Sequence, residues 1–299
     1  MSDLLGLLQQ ELALFIALAS LLGLLAGSFI NVVVYRLPKM LQADWQQQAK
    51  VILAEAQPAV AARPEPDSTS PRFNLLVPRS ACPRCQHVIK PWENIPLLSW
   101  LALKGKCSGC QQIISKRYPL VELASGILSA VVAWRFGFGL PAMAILLLTW
   151  GLLTMSLIDA GHQLLPDILV LPLLWLGLLL NTQSMFVSLS DAVLGVAIGY
   201  LSLWSIYWLF KLIMGKEGMG YGDFKLLAML GAWGGWQVLL ITILLSSLVG
   251  AILGIIILRL QKEGIEKPIP YGPYLAVAGW IALLWGNQIT QAYLEFAGL

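Results

Sequence analysis

The sequence predicts an all-α polytopic membrane protein, with about eight transmembrane or half-membrane helices and a cytoplasmic zinc-binding loop domain. Three observations lead there. Hydrophobic side chains make up 58% of the 299 residues and charged ones only 12%, with a mean hydropathy of +0.76, a balance no ordinary soluble domain keeps. The few charges leave a series of long uncharged windows, each near the roughly 20 residues that a membrane-spanning helix requires. The four cysteines stand as two Cys-x-x-Cys pairs within the one long hydrophilic segment.

Taken in order, the first window runs uncharged from Glu11 to Arg36 and predicts a span that is retained, being too long for a secretory signal and lacking a small-residue cleavage site. A helix is predicted from about Leu41 to Glu55, followed by a flexible, proline-containing stretch. Further windows lie from Tyr118 to Gly139, with Glu122 inside, and then from Phe136 to Ile158, Ile168 to Ser190, Ala192 to Phe210 and Pro268 to Leu294. The window from Leu226 to Leu258 holds 33 uncharged residues. As one helix it would be about 50 Å long, too much for one crossing. Its GAWGGW run, residues 231 to 236, is a breaker, so a short helix from about Gly222 to Ala232 and a full span to about Leu258 are expected. Residues 1–37 are thus read as a first transmembrane helix, 38–117 as a cytoplasmic zinc-binding domain and 118–299 as a polytopic membrane domain.

Lysine and arginine orient these spans, because short loops rich in them stay in the cytoplasm. Lys39 to Arg117 holds 11 of the 19 basic residues against five acids. Placing that segment inside puts Lys211, Lys216 and Lys225 in a second inner loop and Arg259, Lys262 and Lys267 in a third. Arg135 alone falls at an outer end, where a long cationic side chain snorkels.

The cysteines form Cys82-Pro-Arg-Cys85 and Cys107-Ser-Gly-Cys110. Two such knuckles can offer four thiolates to zinc in a tetrahedron, whereas disulfides are disfavoured in a reducing cytoplasm. His87 is a nearby spectator. The loop has too little apolar surface to fold unaided, so the metal is expected to be structural.

Ionisable groups in or beside apolar windows are costly and usually functional. Asp167 follows Pro166 and Asp191 follows Ser188 and Ser190, positions that suit anions at helix starts, and capping roles are expected for both. Glu122 lies near the inner end of its helix, with a substrate-facing role and simple solvation both open. Asp159, in LIDAGHQLLPD, and Asp223, in GYGDFKLL, are separated by two crossings and return to the same face. Two carboxylates brought together in a partly wetted, low-dielectric site share a proton, so that one can act as base toward water and the other as acid, as in an aspartic protease. The letters G-x-G-D alone equally fit a glycine turn and a helix cap.

GSFINVVVYRLP (27–38), the CPRC and CSGC knuckles, WENIPLLSWLALKGKC (92–107), RYPLVELASG (117–126), DAGHQLLPD (159–167) and GMGYGDFKLLAMLGAWGGW (218–236) resemble the type 4 prepilin peptidases. The resemblance runs from the first span to the last, leaving only residues 42–72 without a family motif. It implies a bifunctional enzyme of the bacterial inner membrane. Such an enzyme cleaves the leader of type IV prepilins and type II secretion pseudopilins at the cytoplasmic face, then N-methylates the new terminus with S-adenosylmethionine. It makes 118–299 an aspartic peptidase domain with Asp159 and Asp223 catalytic, and associates the Cys82, Cys85, Cys107, Cys110 domain and Gly105 with methyl transfer. At Gly161 many members carry a second acidic residue, absent here.

Methyl transfer rests on the resemblance, since no glycine-rich nucleotide fingerprint is present. By location, the zinc loop is expected to fold over the inner face near the aspartates, with Glu122 positioning the amine. The lipid bilayer and the pilin substrates are the expected partners, and nucleic acid is not. A proton-coupled transporter or scaffold with a structural zinc loop is the competing reading, but only one broken helix is found and no matching inverted half. A peptidase without methyltransferase activity is the other.

Overall fold

The computed structural model describes residues 2–56, 73–216, 218–260 and 270–298, and is built from helices. In chain order these are α1 (Ser2–Gln10), α2 (Leu12–Ala56), α3 (Leu98–Ala102), α4 (Arg117–Phe136), α5 (Leu140–His162), α6 (Asp167–Asn181), α7 (Leu189–Met214), α8 (Tyr221–Gly234), α9 (Gln237–Leu260) and α10 (Gly272–Ala297), with one 3-10 turn at Pro91–Asn94. Among the described residues, four helical stretches are long and apolar enough to cross a membrane: Leu12–Glu55, Arg117–Phe136, Leu140–His162 and Leu189–Met214. This is a multi-pass membrane protein. The proline-containing stretch expected after Glu55 lies largely outside the described residues, as do Lys262 and Lys267.

Helix α2 departs from expectation. The first span and the helix predicted from Leu41 are one continuous helix of 45 residues that runs through Pro38. Proline removes a single N–H from the ladder, and the flanking turns on both sides keep their helical bonds, so the chain continues where a break was expected. The short helix and the turn predicted in GAWGGW are present, α8 ending at Gly234 and α9 beginning at Gln237.

Contacts divide the chain into two units, Leu18–Leu128 and Met1–Ala17 with Ser129–Leu299. In the first, α2 and α4 lie close together: a Cβ at Gly27 would stand 2.7 Å from the Glu122 Cα, and Asn31 Nδ2 donates to the Tyr118 carbonyl at 3.2 Å. Arg36, buried, gives its guanidinium to the carbonyls of Asn74 (2.8 Å) and Pro78 (2.7 Å), fastening the segment after the first span to α2.

In the second unit α8 is the innermost helix. Every residue from Leu226 to Gly234 is buried, although 14 residues reach only about 21 Å, short of the roughly 30 Å hydrocarbon core. Small residues let α7 approach it: Gly195 and Gly231 meet backbone to backbone, and a Cβ at Gly199 would stand 2.9 Å from the Leu227 carbonyl oxygen. The far end of α8 is tied by Asn181 of α6, whose Nδ2 donates to the Ala232 carbonyl at 2.9 Å, and by Trp233 Nε1, which donates to the Leu173 carbonyl at 2.9 Å. Trp280 of α10 bonds Thr149 of α5 at 2.9 Å. Arg135 is not merely snorkelling, since its Nε donates to the Leu284 carbonyl of α10 at 3.0 Å.

The glycine contact yields a stability prediction. Gly231→Val puts a branched side chain into the Gly195 backbone, so it should destabilise the protein by about 1–3 kcal/mol or more, as overpacking does. A thermal melt in detergent checks this; an unchanged midpoint would mean that α7 and α8 are not in contact there.

Candidate active site

Asp159 stands in the last turn of α5, a helix that stops at Gln163 in the left-handed conformation, with the Gln163 N–H returning to the Asp159 carbonyl at 2.8 Å. Asp223 is the third residue of α8. The N-cap of that helix is Gly220, which has no side chain to offer, and the Gly220 backbone amide lies beside the Asp223 carboxylate. The helix start and the buried carboxylate are therefore features of the same residue. Both aspartates are buried, at 6% and 7% exposure, and close enough for their charges to repel. Leu165, in the turn after α5, wedges the surrounding backbone: its Cβ is 2.8 Å from where a Cβ on Gly222 would stand, and its Cδ1 is 3.3 Å from one on Gly272.

A third element joins them. The Gly272 N–H, at the start of α10, donates to Asp159 Oδ2 at 3.1 Å in a buried contact. Sequence reasoning missed this residue. The available signal was Gly272-Pro273, a glycine and a proline at the opening of an apolar window, the composition of a helix start whose free amides favour an anion.

Asp167 and Asp191 stand in the first turns of α6 and α7 but are not the caps expected of them. Pro166 is the N-cap of α6, and both Asp167 oxygens take the Lys225 ammonium of α8 at 2.8 Å. Ser188 caps α7 by accepting the Asp191 N–H, while the Asp191 carboxylate accepts from Ser188 Oγ at 2.7 Å and from Trp236 Nε1 at 3.1 Å. A Cβ on Gly161 would meet open space, so no packing demand explains glycine there.

The other predicted residues gather in the Leu18–Leu128 unit. The Sγ atoms of Cys82, Cys85, Cys107 and Cys110 lie within 4.8 Å of one another, with Cys82 to Cys110 at 3.8 Å and Cys85 to Cys107 at 3.9 Å. Thiolates tetrahedral about zinc at about 2.3 Å stand roughly 3.8 Å apart, so the cluster fits that ion. Each knuckle is closed by one antiparallel bridge, Ala81 with Val88 and Lys106 with Ile113. The backbone amides of Cys85 and Arg84 lower the Cys82 thiol to about 6, while at Cys85 the His87 amide is outweighed by burial and the neighbouring thiols, which raise it to about 11. His87 stays outside the tetrad and bonds Glu93 at 3.1 Å and Ser108 at 3.1 Å through Nε2. The Lys90 N–H, Ser108 and His87 together hold Glu93 down to about 2.

Glu122 and Gly105 brace one short element. The Glu122 carboxylate accepts the Leu97 N–H at 2.8 Å, just ahead of α3. Gly105 follows α3 at a φ of 69°, its N–H on the Trp100 carbonyl at 2.8 Å, where a Cβ would come within 2.9 Å of the Trp100 ring. The left-handed backbone and this close contact both require glycine.

Residues 21–136 match the family described as the bacterial peptidase A24 N-terminal domain, and residues 146–255 match the type IV leader peptidase family. The chain is 66% identical to the prepilin leader peptidase/N-methyltransferase of Pseudomonas aeruginosa, covering 95% of each chain. It is 65% identical to that of Stutzerimonas stutzeri, over 95% of this chain and 96% of the relative. The Pseudomonas putida protein of the same name is 55% identical over 97% and 98%. No solved structure matches.

Proposed function

The chain belongs to the type IV leader peptidase family, and from that premise we propose that it cleaves the leader of type IV prepilins and type II secretion pseudopilins and then N-methylates the terminus so exposed. The observation that carries the peptidase half is the buried Asp159 and Asp223 pair, one in the last turn of α5 and the other in the first turn of α8. One aspartate, as base, takes a proton from water as the water oxygen attacks the scissile carbonyl carbon. The other, protonated, hydrogen-bonds the carbonyl oxygen as it becomes tetrahedral. As the C–N bond breaks, a carboxyl proton passes to the departing amine, which becomes the new N-terminus. Burial excludes bulk water and strengthens both interactions.

Cys82, Cys85, Cys107 and Cys110 hold zinc, which supplies a cross-link rather than a reacting group. S-adenosylmethionine supplies the methyl. The membrane is the bacterial inner membrane, with the aspartates toward the cytoplasm, where the basic leader of a prepilin is found. Residues 38–117 serve methyl transfer and 118–299 serve proteolysis. Glu122 and Gly105 support the former by holding α3 in place.

The test is incubation of the purified protein with a prepilin and S-adenosylmethionine, followed by mass spectrometry. A product that has lost its leader and gained one methyl is expected. Intact prepilin would overturn the reading, and a cleaved but unmethylated product would confine it to the peptidase.

A further inference from the structure

The peptidase reading leaves one buried polar contact without a task. Of the two aspartates, Asp159 alone receives a backbone amide from a distant element, 113 residues along the chain. The donor is the first N–H of α10. The next residue, Pro273, has none to give, and the N–H groups of Tyr274 and Leu275 turn back to the Tyr271 carbonyl at 3.1 Å. The Gly272 amide is thus the free donor of that helix start, and it is spent on a carboxylate.

Its position is held from several sides. The Tyr271 hydroxyl and Ser246 Oγ of α9 are 2.7 Å apart, pinning the residue before it. Further along, Trp280 is bonded to Thr149 of α5, the helix that carries Asp159. The space on the carboxylate side is filled as well: a Cβ on Gly272 would stand 2.6 Å from Asp159 Oδ2 and 3.3 Å from Leu165 Cδ1. Gly272 has φ in no unusual region, so glycine is required here by contact and not by backbone conformation. Any side chain would push the Asp159 carboxylate off its donor.

We infer that Gly272 is a positioning residue for peptide cleavage, its N–H fixing the Asp159 carboxylate at the distance from Asp223 that water activation needs. The inference rests on the peptidase reading of the pair. A carboxylate on a helix end is otherwise free to rotate about its side-chain torsions, and a misplacement of about 1 Å in a catalytic group costs roughly 10²-fold in rate. An amide held by three packed helices removes that freedom without placing a further charge in the site.

The experiment compares full-length wild type, Gly272→Ala and a semisynthetic amide-to-ester replacement at Gly272, which removes the N–H and adds no side chain. Each is assayed for prepilin cleavage, with kcat and KM separated, and for methylation of a synthetic leaderless pilin peptide. Gly272→Ala is expected to lose roughly 10²-fold in kcat. KM and methylation should change little. The ester form is expected to lose at least about tenfold in kcat, again with KM kept, as removal of one preorganised donor does. A full kcat in the ester form overturns the inference even where Gly272→Ala fails to fold, because the hydrogen bond to Asp159 is then missing. Wild type that leaves prepilin intact would overturn the peptidase reading instead, so the two failures are distinguishable.

Discussion

Asp159→Asn and Asp223→Asn are each expected to reduce prepilin cleavage by roughly 10²–10⁴-fold or more, the range lost with a general acid or base. The double variant should be little worse than either single one, because the pair acts as a unit and removing one member already disables the other. Asparagine keeps the shape of the side chain, so the Gly272 N–H can still be accepted at position 159 and the packing of α8 is undisturbed at position 223. The control is methylation of a leaderless pilin peptide, which should persist in all three variants. Cleavage that survives in both single variants would remove the aspartic mechanism. Loss of methylation together with cleavage would point to collapse of the fold.

The second large effect concerns the cysteine tetrad. Cys82→Ser should abolish N-methylation while leader removal continues. The physical reason lies in how little else holds the knuckles. Trp92, Leu98, Leu101 and Ile113 are all more than half exposed, so these apolar side chains add little to holding the described part of the segment. One antiparallel bridge per knuckle cannot offset the entropy of ordering it. A structural zinc contributes on the order of 10–16 kcal/mol in small zinc-dependent folds, and with one ligand missing most of that is lost. Metal content measured on the purified variant should fall from about one zinc per chain, the stoichiometry of a four-thiolate site. If Cys82→Ser methylates normally, the loop has no part in methyl transfer. If it neither cleaves nor methylates, the two halves of the chain are not separable.

Much of this was legible in the residues because membranes impose coarse rules. A window without charge must be helical to satisfy its backbone, so α4, α5, α7 and α10 could be read from charge spacing. The division of α8 from α9 needed the GAWGGW breaker, and α6 stops at Asn181, short of the window expected to Ser190. Asp159 and Asp223 stood out as carboxylates beside apolar windows, and the cysteine tetrad by a spacing that a shared metal, redox pairs or disulfides explain. Other features left weak marks. The first span and the helix from Leu41 read as separate in the sequence, yet α2 joins them through Pro38, because neighbouring turns decide whether one missing N–H matters. The Gly195 and Gly231 contact is invisible until α7 and α8 are known to touch, since a small residue declares a close approach only when its partner is known. The Gly272 donor is a backbone atom, identical in every residue but proline, so its role could be seen only from where Asp159 lies. The partners of Asp167 and Arg135 were likewise set by packing: a lysine 58 residues away and a carbonyl 149 residues away.

Helix α8 has a further consequence for anyone who searches for inactive variants at random. Its first turn carries Asp223, and from Phe224 onward nearly every position faces other protein. On the aspartic reading proposed above, a screen scored on pilus processing alone will return this stretch as a continuous block of hits, although one position bears chemistry and the rest bear shape. Scoring the same library for surviving methylation would split that block, leaving the aspartate as a clean loss of one activity among neighbours that forfeit both.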